Sequence, residues 1–305
     1  MSTIFGAVHA DTGAAAAVKV LPLALCSIPE LRSRLELEAA VLQRLDHPNV
    51  VKVLEVGEVD PRLGGGCYLV EEWLPSSLDR VLEARRPELL PIGTALRIAG
   101  GVANALAAVH AAGLAHRDVK PSNVLFRADG TPVLADFGLA VALDASADRQ
   151  RLTPTNVIVG TAAYLSPEQV ESGHVDERCD LYSLGVVLYE LLTGEVPFAR
   201  VSPLATLQAH LEEQPPPLPP HVPDEVRGIV GRALEKRPED RYPSAASMAS
   251  VLEAALSALG APARAAERAR PLASLPLTVD LWDARSWTPE AGRSERTRRA
   301  AGSWR

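Results

Sequence analysis

The chain has little cysteine, no excess of basic charge and no long apolar run, and each shortage closes off a class of function. Its three cysteines, Cys26, Cys67 and Cys179, are odd in number and far apart, without C-x-x-C spacing. That argues against a disulfide frame or a zinc site and predicts small buried hydrophobic groups in a reducing compartment. Lys and Arg number 31 against 38 Asp and Glu, a net charge of −7. A surface built for nucleic acid or anionic membrane is therefore not expected. No apolar run approaches the ~18 residues that a membrane span needs. The strongest candidate, Leu181 to Leu192, contains Tyr182, Ser183, Tyr189 and Glu190 and reads as a buried helix. The N-terminus shows no basic segment ahead of an apolar core, so no signal peptide is expected, and no internal repeat is evident. The expectation is a soluble cytoplasmic protein.

What is present is globular: 47% hydrophobic and 23% charged residues in 305, enough for one large domain or two lobes around a cleft. Residues 1–73 read as short strands with one helix. Ile4 to His9 and Ala14 to Leu21 flank the turn-prone Asp11-Thr12-Gly13. Leu31, Leu35, Leu42 and Leu45 have helical spacing, ending at His47-Pro48-Asn49. Val50 to Val56 and Cys67 to Trp73 read as two further strands. From Leu74 helices dominate. Ile92 to Ala112 carries Ile98, Val102, Leu106 and Val109 on one face, with Gly113 as C-cap. Val124 to Phe126 and Val133 to Ala135 flank Asp129-Gly130, a strong hairpin signal. The prolines from Pro215 to Pro220 form an extended connector. Beyond about residue 261 an Ala-, Arg- and Pro-rich stretch without periodicity reads as a disordered tail.

The chemistry concentrates in His116-Arg117-Asp118-Val119-Lys120-Pro121-Ser122-Asn123 and, beyond the hairpin, Asp136-Phe137-Gly138. Two carboxylates, an ammonium and an amide at a separation one hairpin can close suit phosphoryl transfer from a metal-bound nucleotide to a hydroxyl. These segments resemble the catalytic and metal-binding loops of eukaryotic-like (Hanks-type) protein kinases, especially the bacterial serine/threonine branch.

The resemblance implies an α+β, two-lobed fold: a β-rich small lobe over 1–73, a helical large lobe over 74–259 and a tail over 260–305. It implies that Asp118 accepts and orients the acceptor hydroxyl, that Asn123 and Asp136 hold magnesium or manganese, and that Lys120 contacts the transferring phosphate. Ala17-Val18-Lys19 matches the strand lysine that pairs with the ATP phosphates, and Glu38 matches its helix partner. Glu36 competes for that role but would point roughly 200° around the helix from Glu38. The adenine is expected on the main chain of Glu72 and Leu74, sandwiched by Val8, Ala17 and Leu125. Glu71 falls where relatives place an apolar residue or threonine, and a carboxylate buried there would have its pKa raised. Thr153 and Thr155 match autophosphorylated threonines, whose phosphate could pair with Arg117. Thr161 matches the residue lining the acceptor pocket. Glu168 with Arg241 is expected as a buried ion pair, Asp180 as a brace for His116-Arg117, and Leu42, His116 and Phe137 as an apolar column.

One departure stands out. Of the loop G-x-G-x-x-G-x-V, Gly6 and Val8 match the end, but the first two glycine positions fall on Met1 and Thr3. The reading favours a start placed too far downstream over true loss of the phosphate cover. Expected partners are protein substrates and a homodimer through the small lobe, with no nucleic acid and no membrane span. The rival readings are a pseudokinase scaffold and a small-molecule kinase of the aminoglycoside type. The Gly160 to Glu168 segment and the loop threonines favour peptide substrates.

Overall fold

Alternating apolar residues near the N-terminus build a four-stranded antiparallel sheet in the order β1-β2-β4-β3. Its strands are β1 (Thr3–Val8), β2 (Ala15–Leu21), β3 (Val53–Glu58) and β4 (Cys67–Glu72). The coordinates, a computed structural model, describe residues 3–21, 23–60, 65–137, 162–171 and 175–260. The β1–β2 turn closes through a His9 N–H to Ala14 carbonyl bond of 2.8 Å, with Gly13 at φ 71°, a left-handed conformation that glycine adopts without a Cβ penalty.

The two faces of β2 and β4 differ. Val18 and Val70 pair on one face and, with Ala16 and Tyr68, form a small buried cluster. The period of two puts Ala17, Lys19 and Leu21 on the other face, opposite Glu71, Leu69 and Cys67. This second face looks toward the helix α2 (Pro29–Arg44), which follows the short helix α1 (Leu23–Cys26). Pro29 opens α2 where a missing N–H is harmless. A cavity between sheet and helix is lined by Lys19, Leu21, Glu38, Leu42, Cys67 and Phe137, among others.

The rest is mainly helical: α3 (Leu78–Arg85), α4 (Ile92–Ala111), α5 (Pro167–Val170), α6 (Arg178–Thr193), α7 (Pro203–Glu212), α8 (Asp224–Ala233) and α9 (Ala245–Ala258). A three-stranded sheet β5-β6-β7 (Ser76–Ser77, Val124–Phe126, Pro132–Leu134) lies among them. The main core gathers α4, α6, α8, α9 and the β6–β7 hairpin, and residues Cys179 through Leu192 of α6 are all buried. This is the all-round apolar helix expected from the sequence. Helix α4 is long and apolar enough to cross a membrane, which the search for apolar runs missed, but its apolar side chains are packed in this core.

One expected strand is shifted. Val50 and Val51 do not join β3; Val51 N–H donates to the Leu134 carbonyl at 3.0 Å and Leu134 N–H to the Asn49 carbonyl at 2.7 Å. Buried at 2% and 1% exposure, they stitch the segment after α2 onto β7, so β3 starts only at Val53. The expected tail, except residue 260, lies outside the described residues.

Candidate active site

The β6–β7 hairpin turns as its sequence predicts. Gly130 sits at φ 84°, and the Thr131 N–H donates to Asp129 Oδ1 at 2.9 Å, a side-chain-closed turn. The Ala135 N–H then donates to the Asn123 carbonyl at 2.9 Å, which sets the residue before Asp136 beside Asn123.

Around Asp118 the short-range contacts form one network. Lys120 Nζ donates to Asp118 Oδ2 at 2.7 Å, and Asn123 Nδ2 donates to the Asp118 carbonyl at 2.8 Å and to Oδ2 at 3.1 Å. The loop carrying them is anchored by Asp180, which is fully buried and accepts the His116 N–H at 2.8 Å and the Arg117 N–H at 2.6 Å. Burial opposes the Asp180 charge, but the His110 hydrogen bond (2.8 Å) and the backbone donors outweigh it and hold the pKa below the usual carboxylate value. Gln169 Nε2 adds a 3.0 Å bond to the Arg117 carbonyl. These clamps keep Arg117 at φ 64°; Asp136 stands at φ 72°. Left-handed backbone in non-glycine residues concentrates at functional sites. Arg117 Nε is buried with no hydrogen-bond partner among the described residues.

His116 is fully buried. Its Nε2 meets the Ala135 carbonyl at 2.9 Å and its ring packs edge-on against Phe137, centroids 4.6 Å apart. Burial pushes its pKa down, so the imidazole is a neutral structural group. Leu42 and Phe137 line the same cavity, so all three members of the expected column lie in this region.

Lys19 is 3% exposed, and its ammonium pairs with the carboxylate of Asp136. Glu38 stands across the shared cavity on α2, and Asp136 reaches the ammonium directly. Burial lowers the Lys19 pKa to about 8, against the opposing pull of Glu71 and then Asp118. Glu71 is the inward residue that the sequence raised as one alternative. It is 9% exposed, it shares the Lys19 face of the sheet, and burial raises its pKa despite the Lys19 charge.

The expected base-binding positions sit near the strand ends. Gly6 pairs with Ala17 and Val8 with Ala15. A Cβ on Gly6 would come 3.5 Å from the Trp73 ring. Val8 is 47% exposed, Ala17 half-buried, and Leu74 and Leu125 are packed partly against the main core. Glu72 gives its N–H to the Lys52 carbonyl at 2.9 Å, so of its main-chain groups only the carbonyl can serve an adenine. Its side chain has a role the sequence did not suggest. It holds Arg127 by bonds of 2.6 and 3.4 Å, and Arg127 also reaches the Pro48 carbonyl. His110 and Gln169 were likewise missed. Only Gln169 carried a signal, as the fourth residue of a Ser166-x-x-Gln169 capping box.

The donor chemistry of the expected metal positions fits a hard divalent cation. Asp136 offers a carboxylate and Asn123 an amide oxygen, and the Asn123 amide nitrogen is already committed to Asp118. No cluster of three His, Cys, Asp or Glu ligands exists among the described residues. Such a cation would therefore share its shell with water and phosphate, as magnesium commonly does. Glu168 and Arg241 form the expected buried pair, bidentate at 2.7 and 2.8 Å. Thr153, Thr155 and Thr161 lie outside the described residues.

The comparisons with known proteins agree with this geometry. Residues 1–253 match the protein kinase domain family. Serine/threonine-protein kinase PknA of Mycobacterium tuberculosis (strain ATCC 25618 / H37Rv) is 37% identical over 303 residues, 98% of this chain and 69% of the relative. Serine/threonine-protein kinase PknB of Mycobacterium leprae (strain TN) is 39% identical over 236 residues, 76% of this chain and 37% of the relative. Among solved structures, the Mycobacterium tuberculosis PknI kinase domain superposes with a TM-score of 0.62 at 30% identity, covering 83% of this chain and 90% of that one. The chain belongs to the protein kinase family and groups there with bacterial serine/threonine protein kinases.

Proposed function

We propose that this chain transfers the γ-phosphoryl group of ATP to serine or threonine hydroxyls of proteins, with Asp118 as the residue that takes the hydroxyl proton. The acceptor oxygen forms a bond to the γ-phosphorus as the bond to the ADP oxygen breaks, and the proton passes to the Asp118 carboxylate. Lys120, bonded to Asp118, stands ready to meet the transferring phosphate, and Lys19 meets the phosphates behind it. Asn123 and Asp136 would hold magnesium or manganese, whose charge neutralises the triphosphate. Glu38 positions Lys19 from α2, and Gly6, Val8, Ala17, Leu74, Leu125 and the Glu72 carbonyl bound the nucleotide. Thr161 lines the acceptor pocket. Thr153 and Thr155 are autophosphorylation sites, and the buried Arg117 Nε, without a hydrogen-bond partner among the described residues, supports their docking on Arg117.

The same reading divides the chain into lobes at residue 73 and puts the protein in the cytoplasm, where ATP is supplied. A homodimer through the first part of the chain has the exposed edge strand β1 as its support. The single observation that carries the proposal is the Asp118–Lys120–Asn123 network, held on a backbone clamped by Asp180.

The test is incorporation of radiolabelled phosphate from ATP and a divalent cation into the purified protein and a general acceptor protein, compared with Asp118→Asn. Loss of the carboxylate base is expected to lower incorporation on the order of 10²- to 10⁴-fold. Label persisting undiminished in Asp118→Asn would overturn the assignment, and mass spectrometry of the wild type should find phosphate on Thr153 or Thr155.

A further inference from the structure

Sequence spacing suggested three unrelated cysteines, but the fold brings two of them together. Cys67 begins β4 directly opposite Leu21, the last residue of β2. The chain then passes into α1, whose final residue, Cys26, donates its thiol to the Leu21 carbonyl at 4.0 Å. Both cysteines therefore converge on one residue, Leu21, and each thiol lies within the other's electrostatic reach. The backbone enforces the approach. Gly66, at φ 110°, lies so close to β2 that a Cβ there would stand 2.4 Å from the Leu21 carbonyl oxygen. Only glycine admits Cys67 to this position. Cys26 is buried, while Cys67 is half-buried and lines the cavity under α2 together with Lys19 and Glu38. Cys179 is separate, fully buried in α6 beside Asp180.

We propose that Cys26 and Cys67 form a redox-active dithiol, oxidised by a low-molecular-weight disulfide to an intrachain bond that tethers the entry to α2 to strand β4. The more accessible Cys67, as thiolate, attacks one sulfur of RS–SR and expels the first RS⁻. The Cys26 thiolate then attacks the Cys67 sulfur of the mixed disulfide and expels the second. The protein loses two electrons and two thiol protons, and the reagent leaves as two RSH. The sulfurs must close from their places on either side of Leu21 to a bond of about 2.05 Å. The segment that moves is the α1–α2 entry, because β4 is fixed on both sides by β2 and β3. The resulting loop encloses α2 and β3, and with them Glu38.

Burial, with the neighbouring Cys26 thiol, raises the Cys67 thiol pKa to about 12. The first attack is therefore slow near neutrality and should quicken close to tenfold per pH unit as the thiolate fraction grows. This property fits a site that stays reduced in a reducing cell and responds to sustained oxidation.

The test treats the full folded chain at pH 8.5 with excess oxidised glutathione, followed by alkylation and non-reducing peptide mapping. The expected product is a Cys26–Cys67 cross-linked peptide, reversed by dithiothreitol, formed equally in Cys179→Ser and absent from both Cys26→Ser and Cys67→Ser. Its yield should fall when the chain is first unfolded in urea, because the fold supplies the proximity. Amide exchange across α1 and the start of α2 should slow in the oxidised protein. A glutathione adduct that persists on Cys67, a cross-link to Cys179 or between chains, or equal cross-linking in the unfolded chain would each overturn the proposal. The reaction is independent of ATP, so its failure leaves the kinase assignment intact, and failure of that assignment leaves the dithiol chemistry standing.

Discussion

Lys19 feels the carboxylates of Asp136, in contact, Glu71, on the same face of the sheet, and Asp118, and the first two differ in what else they can do. If Asp136 holds a divalent cation as proposed, the cation would draw it from the ammonium, whereas Glu71 has no such role. Glu71, although burial raises its own pKa, thus acts while ionised as the counter-charge of a lysine whose burial has already lowered its pKa to about 8. The sign of a substitution follows. Removing a nearby negative charge makes the ammonium easier to deprotonate, so Glu71→Gln lowers the Lys19 pKa further. Neutral Lys19 cannot hold phosphate charge. The alkaline limb of kcat/KM for ATP, which reports groups of the free enzyme, is expected near pH 8 in the wild type. In Glu71→Gln it should lie at lower pH, with the largest activity loss between pH 7 and 8. A limb that stays in place would show that the Glu71 charge is not felt at Lys19. Glu71→Leu should move the limb the same way, which separates the charge effect from the shape of the amide.

Among the elements, helix α5 is pinned from below by Arg241. Its guanidinium makes two bonds to Glu168 and also donates to the carbonyls of Glu235, Lys236 and Arg178. The pair is buried, with Arg241 1% and Glu168 8% exposed. Breaking one member therefore leaves an uncompensated buried charge. Arg241→Leu should destabilise the fold by about 3–5 kcal/mol in urea unfolding. The double variant with Glu168→Leu should recover part of that loss, because no charge is then stranded. An Arg241→Leu protein as stable as wild type would remove this pin from the account. The Asp129-Gly130 turn and the Gly113 cap were legible as local patterns, whereas this pair and Asp180 as a backbone brace were legible only through the resemblance to the kinase family, since they join residues far apart in sequence. Other features were not. The Lys19 bond to Asp136 was not foreseen, because the reach of a side chain across an assembled cleft decides it and no spacing encodes that. Val50 and Val51 read as strand residues and are extended, but their hydrogen bonds run to β7, a choice made by the tertiary fold. The Glu72–Arg127 clamp and the Cys26–Cys67 contact join residues far apart in sequence, so they become visible only when the sheet register is known.

At the scale of the whole molecule, the apolar interior is divided very unequally. Among the described residues, the sheet's outer cluster has the buried Ala16, Val18, Tyr68 and Val70 with Ala7, Val20 and Val59 packed partly against them, while the main core runs from Leu42 and Val50 through α4, α6, α8 and α9. Strand β1 is an edge strand with Ile4 and Phe5 exposed at 60% and 48%. The sheet is tied to the helical part by a few polar links: Lys19 to Asp136, Glu72 to Arg127, and the Asn49 side chain to the Pro132 carbonyl at 2.7 Å. Local opening free energies follow buried contact density, so the first part of the chain should open well below the threshold for the whole. In native-state hydrogen exchange, the amides of β1 and α2 should exchange on the order of 100-fold or more faster than those of α6. Glu72→Ala cuts the link through Arg127 and should speed exchange in β3 and β4 without changing α6. In the proposed function ATP with a divalent cation meets Lys19 on one side and Asn123 and Asp136 on the other, so its addition should slow exchange in β1, β2 and α2 and leave α6 and α9 unchanged. Equal protection across sheet and helices, or a nucleotide effect confined to the helical core, would contradict this unequal division and the proposed nucleotide site.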